Sequence, residues 1–182
     1  TLTCGAFSGM MIISQASGVA INMIGMTAAS AAIAVSVLAL FNALGRIVAG
    51  FISDKIGRIN TLTGALVLSM AGLCALYFCK VGAVALFYCG IAVVGICFGA
   101  FMGVFPGFTV DRFGAKNNSV NYGIMFIGFA LAGYFGPSVM RQVFATDGAY
   151  QRAFLIALAF DVVGIILTFC YRVVLKKSEG EK

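Results

Sequence analysis

Gly45-Arg46-Ile47-Val48-Ala49-Gly50-Phe51-Ile52-Ser53-Asp54-Lys55-Ile56-Gly57-Arg58 is the stretch that decides the fold. It leaves one long apolar run, crosses a short cluster of charge and glycine, and enters a second apolar run near Asn60. A helix end, a tight turn and a helix start satisfy that pattern. Gly57 can take the positive φ such a turn needs. Asp54 is suited to accept hydrogen bonds from the free N–H groups at the start of a neighbouring helix. Lys55 and Arg58 are placed to anchor the turn among headgroups. A second copy follows: Asp111-Arg112-Phe113-Gly114 with Lys116-Asn117 echoes Asp54-Lys55-Ile56-Gly57 with Arg58 and Asn60, again between apolar runs.

Working outward, the composition says what those runs are. The chain has 182 residues, 62% of them hydrophobic and only 10% charged, against roughly 25% charged in a soluble domain. So few charges cannot cover a soluble surface. A water-soluble globule, a disordered tail, a collagenous fibre and a disulfide-stapled module are excluded. Long apolar runs rather than alternation exclude a β-barrel, leaving an all-α transmembrane protein in contact with the lipid bilayer. The net charge of +6 is spread over the short gaps between apolar runs, so no nucleic-acid partner is expected. With no histidine among the residues, the commonest metal ligand and general base is missing. The six cysteines form no CxxC pair and read as small buried hydrophobes. Walker A, G-x-S-x-G and HExxH motifs are absent. No enzyme, metal or cofactor is expected.

About 20 apolar residues cross a bilayer, and six such spans are legible, near 2–23, 28–51, 60–79, 82–105, 121–140 and 149–173, followed by a charged, frayed tail at 175–182. Gly25 and Thr27 mark the turn between the first two. Pro106 and Pro137 should lie at or near span ends, where a missing N–H is best tolerated. One side holds Lys55, Arg58, Arg112, Lys116, Arg172, Lys176, Lys177 and Lys182; the other holds Lys80, Arg141 and Arg152. The positive-inside rule makes the first side cytoplasmic, with both ends of the segment there. The chain opens at Thr1 inside an apolar run, so an upstream part is expected to be missing.

Polar groups inside the spans are the candidate site. Arg46 lies eight residues before Asp54, hence about 12 Å deeper along a helix. A basic side chain near a helix centre costs about 2.5–3.5 kcal/mol to insert, so it faces a polar cavity or a partner. Asn42, Arg46, Gly50 and Asp54 are spaced by four and form one stripe. The functional reading is an anionic substrate held by Arg46, bidentate on a carboxylate; the alternatives are a structural ion pair or an arginine snorkelling to the interface. Gln15 is a mid-span polar group that lines the cavity or bonds a neighbouring helix. Asp161 is the one carboxylate deep in a span, a proton relay or a structural group. Gly95, Gly99, Gly103 and Gly107, and Gly5 and Gly9, recur every four residues and read as close helix packing. Phe98, Phe101 and Phe105 beside them read as lipid-facing, or as an apolar cavity wall.

Gly50-Phe51-Ile52-Ser53-Asp54-Lys55-Ile56-Gly57-Arg58 resembles the G-x-x-x-D-x-x-G-R loop motif of the major facilitator superfamily. Phe105-Pro106-Gly107-Phe108-Thr109-Val110-Asp111-Arg112-Phe113-Gly114-Ala115-Lys116-Asn117, the following Asn121-Tyr122-Gly123, and Ile13-Ser14-Gln15-Ala16 are similar to its oxalate/formate antiporter family. The resemblance covers nearly the whole chain. It implies the C-terminal six-helix half of a twelve-helix bundle, built from an inverted three-helix repeat and rocking against a missing N-terminal half. It implies a secondary transporter in the cell membrane, a symporter or antiporter, proton-coupled or exchanging, for a small anionic substrate. Arg46 would be the substrate-binding arginine of the eighth helix, with Asn42 and Gln15 beside it. Gly50, Asp54, Gly57, Arg58, Asp111 and Arg112 would form the loops that open and close. The oxalate-transporting members place a lysine in the eleventh helix, and that position falls on Phe129. One cation suits a monoanion, so a monocarboxylate such as formate or lactate is expected, with oxalate the alternative. A non-transporting scaffold or receptor-like bundle, and a half-size homodimeric pore, are the competing readings.

Overall fold

The computed structural model describes residues 1–180. Six helices follow one another: α1 (Leu2–Asn22), α2 (Ala28–Ile56), α3 (Arg58–Tyr77), α4 (Val84–Phe113), α5 (Asn118–Asp147) and α6 (Gln151–Gly180). Each is long and apolar enough to cross a membrane, and no strand occurs among the described residues. The all-α transmembrane reading therefore holds. Thr27 caps α2, its hydroxyl accepting from the Ser30 N–H at 3.3 Å, and Gly25 turns the chain with φ +80°.

The helices overrun the expected spans. α2 continues through Asp54 and Lys55, α4 runs to Phe113, and α5 starts at Asn118 and reaches Asp147. Pro106 and Pro137 consequently lie inside helices rather than at their ends. Each proline deletes one backbone bond. The flanking turns are tied by hydroxyls: Thr109 donates to the Phe105 carbonyl at 2.9 Å and Ser138 to that of Tyr134 at 2.6 Å. The tail expected to fray from 175 is helical as far as Gly180; residues 181–182 lie outside the described part.

Lipid tails are as apolar as leucine, so helix association rests on fit rather than on hydrophobic exclusion. The glycine stripe supplies the fit. A Cβ on Gly99 would strike the Asn42 carbonyl oxygen, one on Gly103 would meet the Arg46 carbonyl at 2.6 Å, and one on Gly95 the Leu38 carbonyl at 3.0 Å. α2 therefore lies backbone to backbone on α4. On the other side of the bundle, Gly5 and Gly9 of α1 receive the rings of Phe101 and Phe98. Phe98, Phe101 and Phe105 are thus buried core residues, which overturns the lipid-facing reading. A glycine facing a ring makes the socket, and the sequence shows only the two stripes separately.

The neighbour relations map onto themselves when α1, α2 and α3 are exchanged with α4, α5 and α6. α2 packs chiefly on α4 as α5 packs on α1; α3 packs on α4 as α6 packs on α1; α3 and α6 meet each other. One turn device also recurs. Asp54 pairs with Arg58 at 3.0 Å across Gly57, φ +89°, and Asp147 pairs with Arg152 at 3.2 Å across Gly148, φ +66°. The first joins α2 to α3 and the second α5 to α6, at opposite ends of the bundle. This is the signature of two inverted three-helix units.

Candidate functional site

α2 and α5 are the least buried helices and do not touch each other. Each lies on a different inner helix, α2 on α4 and α5 on α1, and α1 and α4 are themselves in contact. A groove between α2 and α5, with α1 and α4 behind it, is what these contacts leave room for. Arg46 stands on its α2 side. Its backbone is pressed against Gly99 and Gly103, while its side chain is exposed and close enough for its charge to act on the Tyr122 hydroxyl of α5. The ion pairs among the described residues involve Arg58 and Arg152, and Arg46 takes part in none. One turn deeper, Asn42 is half-buried and its Oδ1 is enclosed without a hydrogen-bond partner.

From Tyr122 an aromatic ladder descends α5. Tyr122 and Phe126 are 4.9 Å apart, Phe126 and Phe129 4.8 Å, and Phe129 meets Phe98 of α4 at 6.2 Å, all between ring centroids. Phe129, at the position where the resemblance raised a lysine, is packed into this ladder. The site thus offers one guanidinium, one amide, one phenol and an apolar floor. Tyr122 was quoted only as part of a loop motif; nothing in its sequence context marks it as facing Arg46, because the two are 76 positions apart (122 minus 46).

Gln15 is half-buried on α1 with its Oε1 beside Gly18, and the Tyr150 hydroxyl lies against the same glycine. Tyr150 accepts from Asn22 Nδ2 at 3.3 Å. No hydrogen bond joins Gln15 to Asn42 or Arg46 among the described residues.

The two loop copies meet through one residue. Arg58 Nη2 donates to Asp54, its Nε to Asp111 at 3.2 Å and its Nη1 to Ser53 Oγ at 2.6 Å. Arg58 is therefore turned inward, not out to headgroups, and Asp54 takes a guanidinium rather than helix N–H groups as partner. A helix N-terminus offers half a charge to a carboxylate; an arginine at i+4 offers a whole one. Gly57 and Gly114 cap α2 and α4 alike, with φ +89° and +76° and N–H bonds to Ser53 and Val110 at 3.0 and 2.9 Å. Gly50 sits half-buried with nothing within 4 Å of a would-be Cβ. Arg112 is exposed over the Tyr171 ring at 5.5 Å.

Asp161 is fully buried on α6. Ser8 of α1 donates to its Oδ1 at 3.0 Å, Ser69 of α3 lies nearby, and Oδ2 has no partner. Away from the groove, it joins α1, α3 and α6. Asp161→Asn keeps the bond from Ser8 and should leave thermal stability near that of the parent protein. Asp161→Leu strands the Ser8 hydroxyl and should lower stability by about 1–3 kcal/mol, read as the unfolding midpoint in detergent; equal midpoints for both variants would mean that the Ser8–Asp161 bond does not hold α1 to α6.

Groups of His, Cys, Asp or Glu able to hold a metal are absent among the described residues. A helical bundle of two inverted three-helix units, each helix long and apolar enough to cross a membrane, defines a multi-pass membrane protein. The comparisons agree. The family model of the Major Facilitator Superfamily matches residues 1–182, and the chain belongs to that superfamily. It is 35% identical to the uncharacterized MFS-type transporter YhjX of Escherichia coli over 124 residues, 68% of this chain and 31% of that protein. It is 29% identical to the oxalate:formate antiporter of Oxalobacter formigenes over 161 residues, 88% of this chain and 38% of that protein. Monocarboxylate transporter 12 of Xenopus laevis is 24% identical over 149 residues, 81% of this chain and 31% of that protein. The chain thus spans about a third of the length of the curated relatives it matches.

Proposed function

We propose that the chain is the C-terminal half of a secondary transporter for small carboxylate anions, working by alternating access. The observation that carries this reading is Arg46, an arginine well inside a span, exposed, and lacking a carboxylate partner among the described residues. A guanidinium's fork matches a carboxylate's two oxygens. Each hydrogen bond of such a pair is charge-assisted and so stronger than a neutral one. Asn42 lies one turn away as a second polar contact, and the Tyr122 hydroxyl approaches from α5. Gln15, about level with Asn42 by helix rise, is the weaker candidate for the same cavity.

The apolar ladder at Phe129 and Phe98 supports a monoanion over a dianion. A second carboxylate pushed toward those rings would lose its water with nothing to replace it. Formate or lactate therefore fits better than oxalate. The names of two relatives, an oxalate:formate antiporter and a monocarboxylate transporter, support the carboxylate class. Rocking would break and remake the Arg58 contacts to Asp54 and Asp111 against the other half, with both termini of this segment on the cytoplasmic side of the cell membrane. Coupling is to protons or to a counter-anion. A competition panel tests the reading: in proteoliposomes carrying the full-length transporter, formate and lactate should inhibit labelled-monocarboxylate uptake, and oxalate should do so less. Equal inhibition by uncharged sugars or by amines would reject a carboxylate site.

A further inference from the structure

A second cavity, at the loop end of the bundle, carries more positive charge than the Arg58 contacts with Asp54 and Asp111 use up. It encloses about 530 Å³ between the α2–α3 turn, the end of α4 and the last turns of α6. Arg58, Arg112 and Arg172 line it, with Asp54, Asp111 and Phe108. Arg58 is saturated: all three nitrogens donate to Asp54, Asp111 and Ser53. The other two are not. Arg172 donates from Nη2 to Asn60 Oδ1 at 2.8 Å and Thr63 Oγ1 at 3.1 Å. These neutral partners fix the side chain and leave its charge uncompensated. Its guanidinium also lies over the Phe169 ring at 5.7 Å, as that of Arg112 lies over Tyr171 at 5.5 Å. Among the described residues neither Arg112 nor Arg172 pairs with a carboxylate.

Two guanidiniums held against aromatic faces at the rim of one concavity, both short of an anion, suit a phosphate group, whose oxygens match the arginine fork. The surroundings name its source. The cavity wall includes Phe108 and Ile59, and the flank of α6 beside it exposes Phe169, Val173 and Ile166. That strip belongs against acyl chains. A soluble phosphate would use the arginines and leave the strip idle; a phospholipid uses both. We propose that this cavity binds the phosphate of an anionic phospholipid, its chains lying along α6. Basic pockets between helices at a membrane face are suited to such headgroups.

The test counts phosphatidylglycerol retained by the full-length transporter, by native mass spectrometry after detergent extraction. Arg112→Gln and Arg172→Gln should each lower the affinity about fivefold, and the double variant about 25-fold. Lys55→Gln with Lys176→Gln removes the same charge from the same end outside the cavity and should leave retention unchanged. Phosphatidylcholine should bind weakly to all forms, and millimolar inorganic phosphate should not displace the lipid. If the double variant fails to insert, Arg112→Gln alone decides, since Arg112 makes no hydrogen bond to the described residues. Undiminished retention in the arginine variants, an equal fall in the lysine control, or displacement by free phosphate would each overturn the assignment.

Discussion

Arg46→Lys should lower uptake of a labelled monocarboxylate by the full-length transporter about ten- to a hundredfold, with membrane insertion unchanged. Lysine keeps the charge but not the fork. One of two parallel hydrogen bonds to the carboxylate is lost, and a charged hydrogen bond is worth about 1.5–3 kcal/mol. Arg46→Gln removes the charge as well and should fall further, to background. Insertion should survive both changes. The arginine is the costly residue to place in a span, and its backbone contacts with Gly99 and Gly103 do not depend on its side chain. Uptake and surface abundance measured together separate the two effects. Normal uptake by the lysine variant would mean that the guanidinium's shape is not used.

Gly99→Leu should be the most damaging substitution of a residue with no side chain to lose. A Cβ at this position would meet the Asn42 carbonyl oxygen directly and stand 3.0 Å from the Arg46 backbone nitrogen. Both atoms belong to the backbone of α2, so no rotamer change relieves the clash. The helices must part. Overpacking in a tight core costs about 1–3 kcal/mol and sometimes more, and here the displaced segment carries Asn42 and Arg46. Transport should be lost along with stability, and even Gly99→Ala should be measurably worse than the parent. Gly64→Ala on α3 is the matched control, because nothing lies within 4 Å of its would-be Cβ. It should be neutral or slightly stabilising, alanine being the better helix former. Unfolding midpoints in detergent give the comparison. If Gly99→Leu unfolds with Gly64→Ala, α2 and α4 are not in backbone contact.

The contrast between these two glycines shows where sequence reading stops. Spacing by four marked Gly95, Gly99 and Gly103 as a contact face, because helical periodicity is local and survives in one dimension. Which helix the face meets is a long-range fact, and only the fold shows that the partner is the Arg46 stripe. The six spans were legible for the same local reason, since hydropathy is summed over neighbours. Their ends were not. Charge at Asp54 and Lys55 and proline at 106 and 137 ordinarily mark an interface, yet the helices continue past them, and Thr109 and Ser138 tie the turns beside each proline. Arg58 misled in a similar way. As a basic loop residue it read as an outward anchor, but two carboxylates 57 positions apart (111 minus 54) pull it inward. Phe98 and Phe101 looked like lipid-facing surface because the glycine sockets that bury them lie on α1. Arg46 stands out in the sequence by its insertion cost, its stripe and the resemblance, while Tyr122 required the fold.

The groove is tested most directly by placing a single thiol at its centre. In a full-length transporter otherwise free of cysteine, Arg46→Cys should react with a membrane-impermeant, positively charged thiol reagent, as the proposed aqueous site between α2 and α5 requires. Ile47→Cys, exposed on the neighbouring α2 surface, should react far more slowly if that face meets lipid. The same rapid labelling at 46 should be read from whichever side the vestibule is open. A cysteine at 46 that ignores the aqueous reagent and takes up only a lipid-soluble maleimide would place Arg46 among acyl chains, and the carboxylate site with it would fail.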